Sequence, residues 1–166
     1  VTLYLDGNSL TGSIPESIGS LIRLDSLNLS NNELSGSIPD SICNLSGTDY
    51  LYLNDNQLSG SIPENIGNMT GLDHLYLNNN KLSGTIPALN NFSYIRSIHL
   101  ENNQLTGSIP EDIGEMKFNS LYGLYLNNNQ LTGKIPYSIS KLDLRYLYLY
   151  SNHLCTENDY LIDFMN

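Results

Sequence analysis

The chain has 166 residues, a formal net charge of −10, no Trp, 12 Tyr and only 14% charged residues. That length suits a single domain, and the acidity argues against nucleic acid and anionic membrane surfaces, whose phosphates would be repelled, while suiting solubility or a basic partner. No stretch approaches the roughly 18–20 apolar residues needed to span a bilayer, so membrane insertion is not expected.

The chain opens at Val1, with no initiator Met and no signal-peptide pattern, already inside its first predicted strand. The expectation is a mature or truncated product, or a fragment of something longer. That strand holds Leu3, and equivalent strand residues follow at Leu27, Leu51, Leu75, Ile98, Leu124 and Leu147. An asparagine follows in register at Asn8, Asn32, Asn56, Asn80, Asn103, Asn129 and Asn152. A recurrence of about 20–29 residues with the pattern L-x-x-L-x-L-x-x-N-x-L is the signature of a leucine-rich repeat solenoid. About seven layers are expected, each with a strand, a bend and a return leg.

Within a layer, taking Leu72 to Leu82 (LDHLYLNNNKL), Leu75 and Leu77 alternate with His74, Tyr76 and Asn78. Successive strand side chains point to opposite faces, so the leucines face the core and the polar and aromatic residues face out. Asn80 recurs in every turn. An inward amide there can bond backbone groups opened by the bend, and stacked copies form a ladder. Next comes a Gly-x-Ile-Pro segment, which holds all six prolines of the chain: Pro15, Pro39, Pro63, Pro87, Pro110 and Pro136. Gly permits an unusual dihedral there, and Pro forbids a regular helix through the point. The return leg, such as Ile66 to Leu72, places Ile66, Met69 and Leu72 at helical spacing, which predicts a short 3-10 or α turn.

A layer cannot bury its own apolar edges. Stacking buries them, so the two ends need covers. Residues 1–154 read as the solenoid and 155–166 (CTENDYLIDFMN) as a C-terminal cap, with Tyr160, Leu161, Ile162 and Phe164 covering the last layer. No N-terminal cap is legible, so self-association through the bare first layer is one possible use of that end.

The two cysteines, Cys43 and Cys155, lie five repeats apart. At about 4.8 Å per layer that is some 24 Å, well beyond the ~7 Å limit for a disulfide. Cys43 falls in a slot filled elsewhere by Gly19, Gly67 and Gly114, and a buried free thiol is expected. Cys155 is either unpaired or bonded to a partner.

The segment 53–69 (LNDNQLSGSIPENIGNM) closely resembles the plant-type class of extracellular leucine-rich repeats. That class is found in receptor-kinase ectodomains, receptor-like proteins, polygalacturonase inhibitors and some ice-binding proteins. The resemblance runs to about Leu154. It implies an α/β repeat fold: a right-handed solenoid with a parallel sheet on the concave face and a second strand-like segment near the Gly-x-Ile-Pro stretch. It also implies extracellular or cell-surface recognition of peptides, glycans or proteins. The run from Asn152 to Cys155 resembles the start of that class's C-terminal cap, which usually carries paired cysteines, whereas this chain has one.

Outward strand positions form rows. The central row reads Tyr4, Asn28, Tyr52, Tyr76, His99, Tyr125, Tyr148; beside it lie Tyr50, His74 and Tyr146 on one side and Glu101 and Tyr150 on the other. Aromatics about 5 Å apart give an apolar stripe with hydroxyl tips, suited to a sugar chain or an extended peptide. Tyrosines also favour strands and stabilise sheets by packing together, so the stripe has a purely structural reading as well. Four N-x-[ST] sequons occur, at Asn28, Asn44, Asn68 and Asn91. The last three fall at matching places on three successive return legs. Asn28 lies on the sheet, where a glycan would obstruct the face.

An acidic row (Glu16, Asp40, Glu64, Glu111) is broken by Ala88 and Tyr137, and a solvated flank explains it better than a Ca²⁺ site. A hydroxyl row through Thr11, Ser35, Ser59, Ser83, Thr106 and Thr132 is regular enough to match an ice lattice in principle. His99 and Glu101 have the spacing of part of a zinc-deaminase motif, but the P-C-x-x-C partner is missing. No phosphate loop, nucleophile elbow or H-E-x-x-H is present. No catalytic residue, metal or cofactor is therefore expected. The reading is a non-enzymatic recognition or adhesion module that binds a protein, peptide or glycan through its concave sheet. The alternative is a subunit of an end-to-end, glycan-coated filament or surface layer; ice-binding and glycosidase-inhibitor roles are lesser alternatives.

Overall fold

The computed structural model describes residues 1–116 and 120–155. Its architecture is a stack of coils carrying two parallel sheets of seven strands each. The first sheet is built from Thr2–Tyr4, Ser26–Asn28, Tyr50–Tyr52, His74–Tyr76, Ser97–His99, Gly123–Tyr125 and Tyr146–Tyr148, in chain order across the sheet. The second runs from Thr11–Gly12 through Glu33–Gly36, Gln57–Ser61, Lys81–Thr85, Gln104–Gly107 and Gln130–Lys134 to His153–Cys155. Each layer contributes one strand to each sheet. The leucine-rich repeat solenoid expected from the period is therefore present, together with the second strand near the Gly-x-Ile-Pro segment.

The return legs are 3-10 helices at Glu16–Ser20, Asp40–Asn44, Ile66–Asn68 and Tyr137–Lys141. Three of them begin directly after a proline (Pro15, Pro39, Pro136) in extended conformation, where the fixed φ starts the tight turn. The glycine at or one residue before the end of the second strand takes φ between 75° and 85° at Gly12, Gly36, Gly60, Gly84, Gly107 and Gly133. A Cβ strains that backbone, and this accounts for the invariance of glycine there.

The core lies between the sheets and the return legs. Leu27, Leu51, Leu75, Ile98 and Leu124 are fully buried in the first sheet, and Leu58, Leu82, Leu105 and Leu131 in the second. Burying each such side chain stabilises the stack by roughly 1.5–3 kcal/mol. Phe92 fills the fourth return leg. At the first layer the pattern opens out: Leu5, Leu10, Leu21 and Ile22 are exposed, and Leu21, Ile22 and Leu24 line an apolar recess with Val1. The cap expected at 155–166 lies, beyond Cys155, outside the described residues.

Cys43 is half-buried rather than fully buried. Burial, helped by the nearby Asp40 carboxylate, pushes its thiol up to about 11. It therefore stays protonated and unreactive at neutral pH. The three glycines that share its slot differ in kind. A Cβ on Gly19 or Gly114 would overlap the backbone of the next layer, at 2.3 Å from the Ser41 carbonyl and 1.8 Å from that of Ser138.

Each bend is tied by an asparagine amide. The Nδ2 of Asn80 donates to the carbonyls of Leu53, Leu77 and Asn78, and its Oδ1 accepts from the backbone N–H of Leu58. Asn32, Asn56, Asn103, Asn129 and Asn152 repeat this scheme, each reaching back to the layer before. Asn8, in the first layer, donates to the Leu5 and Asp6 carbonyls. Asn103→Ala removes donors to Leu77, Leu100 and Glu101 and the acceptor for Leu82. The expected loss is about 2 kcal/mol or more, since orphaned buried groups carry their full desolvation cost. Urea denaturation measures it; a loss below about 0.5 kcal/mol would show that these bonds do not hold the layers together.

Candidate ligand-binding face

The outward face of the first sheet is ordered by strict register. Thr2, Ser26, Tyr50, His74, Ser97, Gly123 and Tyr146 pair across it as one row, and Tyr4, Asn28, Tyr52, Tyr76, His99, Tyr125 and Tyr148 as the next. Parallel strands hold neighbours about 4.8 Å apart, close to ring-stacking distance. The rings use it. Tyr52 and Tyr76 centroids lie 5.0 Å apart, Tyr76 and His99 4.2 Å, and His99 and Tyr125 4.0 Å, the last two pairs nearly parallel. Tyr148 meets Tyr125 edge-on at 5.1 Å. In the adjoining row Tyr50 stacks on His74 at 5.4 Å, and Tyr146 lies 6.3 Å from Tyr125. Tyr150 joins at the far end, 6.0 Å from Tyr148.

The structure thus brings Tyr50, Tyr52, His74, Tyr76, His99, Tyr125, Tyr146, Tyr148 and Tyr150 into one aromatic surface. Tyr4 stands apart, because Asn28 interrupts the row and turns its amide oxygen to the backbone N–H and hydroxyl of Ser30. Glu101 sits at the edge of the stack and pairs with His99, with Oε1 3.1 Å from Nδ1. Burial, followed by the neighbouring phenols, raises the pKa of both Tyr52 and Tyr125. Their hydroxyls stay protonated at neutral pH and remain donors.

Several participants were not legible as such in the sequence. Gly123 occupies a position that Tyr or His fills in other layers, and a Cβ there would lie 2.8 Å from the Tyr125 ring. Its small size lets that ring lean across the row toward Tyr146. Ser97 is buried and its hydroxyl bonds His74 Nδ1 at 2.6 Å. At the rim, residues bonded backbone to backbone through the layers run Asp25, Asp49, Asp73, Arg96, Tyr122, Arg145. The rim therefore changes from acidic to basic along the stack. Arg96 pairs with Asp73 at 3.1 Å, and Arg145 bonds the Tyr122 hydroxyl while lying over the Tyr122 and Tyr146 rings.

A second amide ladder lies on the exposed corner beside the buried one. Asn79, Asn102 and Asn128 each donate to the preceding layer, ending on the Asp55 carboxylate, all at 2.7 Å. Asn31, Asp55, Asn79, Asn102 and Asn128 have φ of 53° to 58°, a conformation that Asn and Asp tolerate better than other side chains. The doubled asparagine of the repeat was the available signal for this corner. Of the sequon asparagines, Asn44, Asn68 and Asn91 are exposed on the return legs, with Asn91 Nδ2 3.5 Å from Asn68 Oδ1. Asn28 is half-buried on the first sheet.

Burial lowers the pKa of His74 below its ordinary value of 6.5; Asp73 opposes this, and Arg96 and His99 add to it. Between the folded and unfolded values the unfolded chain binds the extra proton, so stability falls as pH drops below that ordinary value. His74→Gln keeps a partner for Ser97 and removes the titration. Its thermal midpoint is expected to decline less than that of the parent between about pH 7.5 and pH 5. Parallel declines would mean that His74 does not sense pH.

Profile comparison matches the leucine-rich repeat to residues 1–58 and single repeats to residues 48–69, 71–92, 94–116 and 120–142. Comparison with curated proteins found no match. Among solved structures, that of PEPR1–AtPEP1 superposes with a TM-score of 0.87 at 37% identity, over 90% of this chain and 21% of that one. The ectodomain of the Arabidopsis receptor kinase HAESA, in complex with an N-terminally extended IDA peptide hormone, gives 0.87 at 40% identity, over 92% and 25%. The ectodomain of the receptor kinase SOBIR1 from Arabidopsis thaliana gives 0.70 at 35%, over 76% and 68%. The chain spans about a fifth to a quarter of the length of the PEPR1 and HAESA chains. Layer, bend and return leg thus agree with the sequence profile and the structural relatives: the chain belongs to the leucine-rich repeat family, in its plant-type form.

Proposed function

We propose that this chain is a recognition segment of an extracellular or cell-surface protein, and that it binds an extended peptide along the aromatic rows of its first sheet. The observation that carries this reading is the continuous run of ring contacts from Tyr52 to Tyr148, outward on a sheet whose other side is the core. Rings with hydroxyl tips offer apolar area and hydrogen bonds together, at little entropic cost. The structure of the HAESA ectodomain supports a peptide over other ligands, being a similar solenoid solved in complex with a peptide hormone.

Panning a random peptide library on the intact chain tests this. Selected peptides are expected to lose at least tenfold in affinity on Tyr76→Ala with Tyr125→Ala, since truncating a buried aromatic anchor costs on the order of 2 kcal/mol. Affinity unchanged in the double variant would reject the aromatic rows as the contact surface.

The exposed sequons support a second element of the reading. Asn44, Asn68 and Asn91 carry N-linked glycans on the return legs, leaving the first sheet clear. Material from a secreting eukaryotic host should lose mass at these three sites, and not at Asn28, when treated with an amide-cleaving glycosidase. Unmodified peptides covering all three would remove this element.

A further inference from the structure

The aromatic face is unevenly exposed. Tyr50, Tyr52, Tyr76 and Tyr125 are half-buried against their neighbours. At the far end Tyr122, Tyr146, Tyr148 and Tyr150 are between 36% and 59% exposed. Apolar area gathered in one place marks a contact surface, whereas single exposed side chains do not. This end also carries a charge that the rest of the face lacks. Of the two arginines on the rim, Arg96 is neutralised by Asp73. Arg145, in the seventh layer, makes no ion pair among the described residues and is exposed.

Arg145 is nonetheless held in place. Its Nη1 donates to the Tyr122 hydroxyl at 2.8 Å, and its Cζ lies 5.8 Å from the centroid of the Tyr122 ring and 5.8 Å from that of Tyr146. Both rings are within reach of cation–π attraction. Most of the guanidinium's donor hydrogens stay open. The Tyr122 hydroxyl, having accepted from Arg145, keeps its own hydrogen to give, and nothing among the described residues takes it. Donors from two successive layers therefore stand together, with no acceptor supplied by the chain. A carboxylate is the complementary group, since it is planar, accepts at both oxygens and matches the guanidinium fork.

Charge elsewhere makes the position selective. The rim opens with Asp25, Asp49 and Asp73, and the whole chain has a net charge of −10. A ligand carboxylate beside the second to fourth layers meets like charge; beside Arg145 it meets an open cation. The same group is rejected in one register and accepted in another. The subsite is also lateral. Arg145 lies one residue before Tyr146, and the rings run on to Tyr148 and Tyr150. A peptide main chain that follows the rings passes beside Arg145, so a side chain reaches it rather than the chain terminus.

We infer that Arg145, with the Tyr122 hydroxyl, is a subsite for an acidic side chain of the peptide ligand, and that it sets the register in which the peptide lies on the rings. The inference rests on the first sheet being the peptide face, and it adds the chemistry of one contact there: a Glu or Asp of the ligand beside the sixth and seventh layers.

The test pans two displayed peptide libraries on the intact chain, identical except that one fixes a central Glu and the other a central Gln. Displayed peptides are joined to the coat protein at their C-termini, so no free terminal carboxylate takes part. The Glu library is expected to yield the tighter binders. Exchanging Glu for Gln in a recovered peptide is expected to cost about fivefold in affinity at low salt, the upper end for an exposed ion pair, because the rings already hold the arginine. That cost is expected to vanish on Arg145→Gln and to shrink on Tyr122→Phe. Equal affinity of the Glu and Gln forms for the parent chain overturns the subsite, and this comparison needs no variant. So does a Glu preference that survives in Arg145→Gln. Failure here is distinct from failure of the peptide face: peptides that depend on Tyr76 and Tyr125 yet bind equally with Glu or Gln retain that face and reject the subsite. No binder from either library rejects both.

Discussion

The fold depends on one repeated constraint: the backbone must turn a sharp corner in each layer without leaving its peptide groups unbonded. The buried asparagine meets that constraint. Its amide bonds three carbonyls, two within its own bend and one in the preceding layer, and its oxygen takes an N–H from the strand that follows the preceding bend. One side chain therefore closes a corner and fixes the rise between coils. No aliphatic residue can replace it, because only an amide offers two donors and an acceptor in a compact planar group. The left-handed residue just before it, Asn79 in the fourth layer, completes the corner.

Once the rise is fixed, the surface follows. Strands in register bring equivalent positions of successive repeats to within about 5 Å, so any residue type repeated at one position becomes a row. The exposed amide ladder ending at Asp55 is one result. A carboxylate accepts and never donates, so Asp55 gives that chain of bonds a single direction, with each amide polarised by its neighbour. The aromatic stack is another. Its rings lean on each other, which gives a pre-formed surface. The same packing that stabilises the sheet therefore prepares it for contact, and the structural and functional readings of the tyrosines are compatible.

Legibility differed between these levels for physical reasons. The strand leucines were readable because they recur in layer after layer, and the glycine–proline segment because it recurs in the first six. The rows were readable too, since period and alternation alone place Tyr76 beside His99 and Tyr125. Their detailed geometry was not. Nothing in the order of residues says that Tyr125 leans over Gly123, that Ser97 holds His74, or that Tyr4 is cut off once Asn28 bonds to Ser30. The second joins residues 23 apart, and the other two turn on side-chain angles within one short stretch, which the order of residues does not fix. Cys43 shows the same limit: its slot is shared with glycines, yet it is only half-buried.

A period near 24 residues with alternating leucines has one way to bury its apolar side, so the coil, its seven repetitions and the inward and outward strand positions are all implicit in the order of residues. Which outward groups satisfy each other and which are left open emerges only once the layers are stacked. Hydrogen bonding is a matter of tenths of an ångström and of direction, and register alone carries neither. Thus Asn28 Oδ1 accepts from Ser30, whereas Asn78 Oδ1, Glu101 Oε2 and Asn127 Oδ1, drawn from the same repeat pattern, accept no bond within the chain.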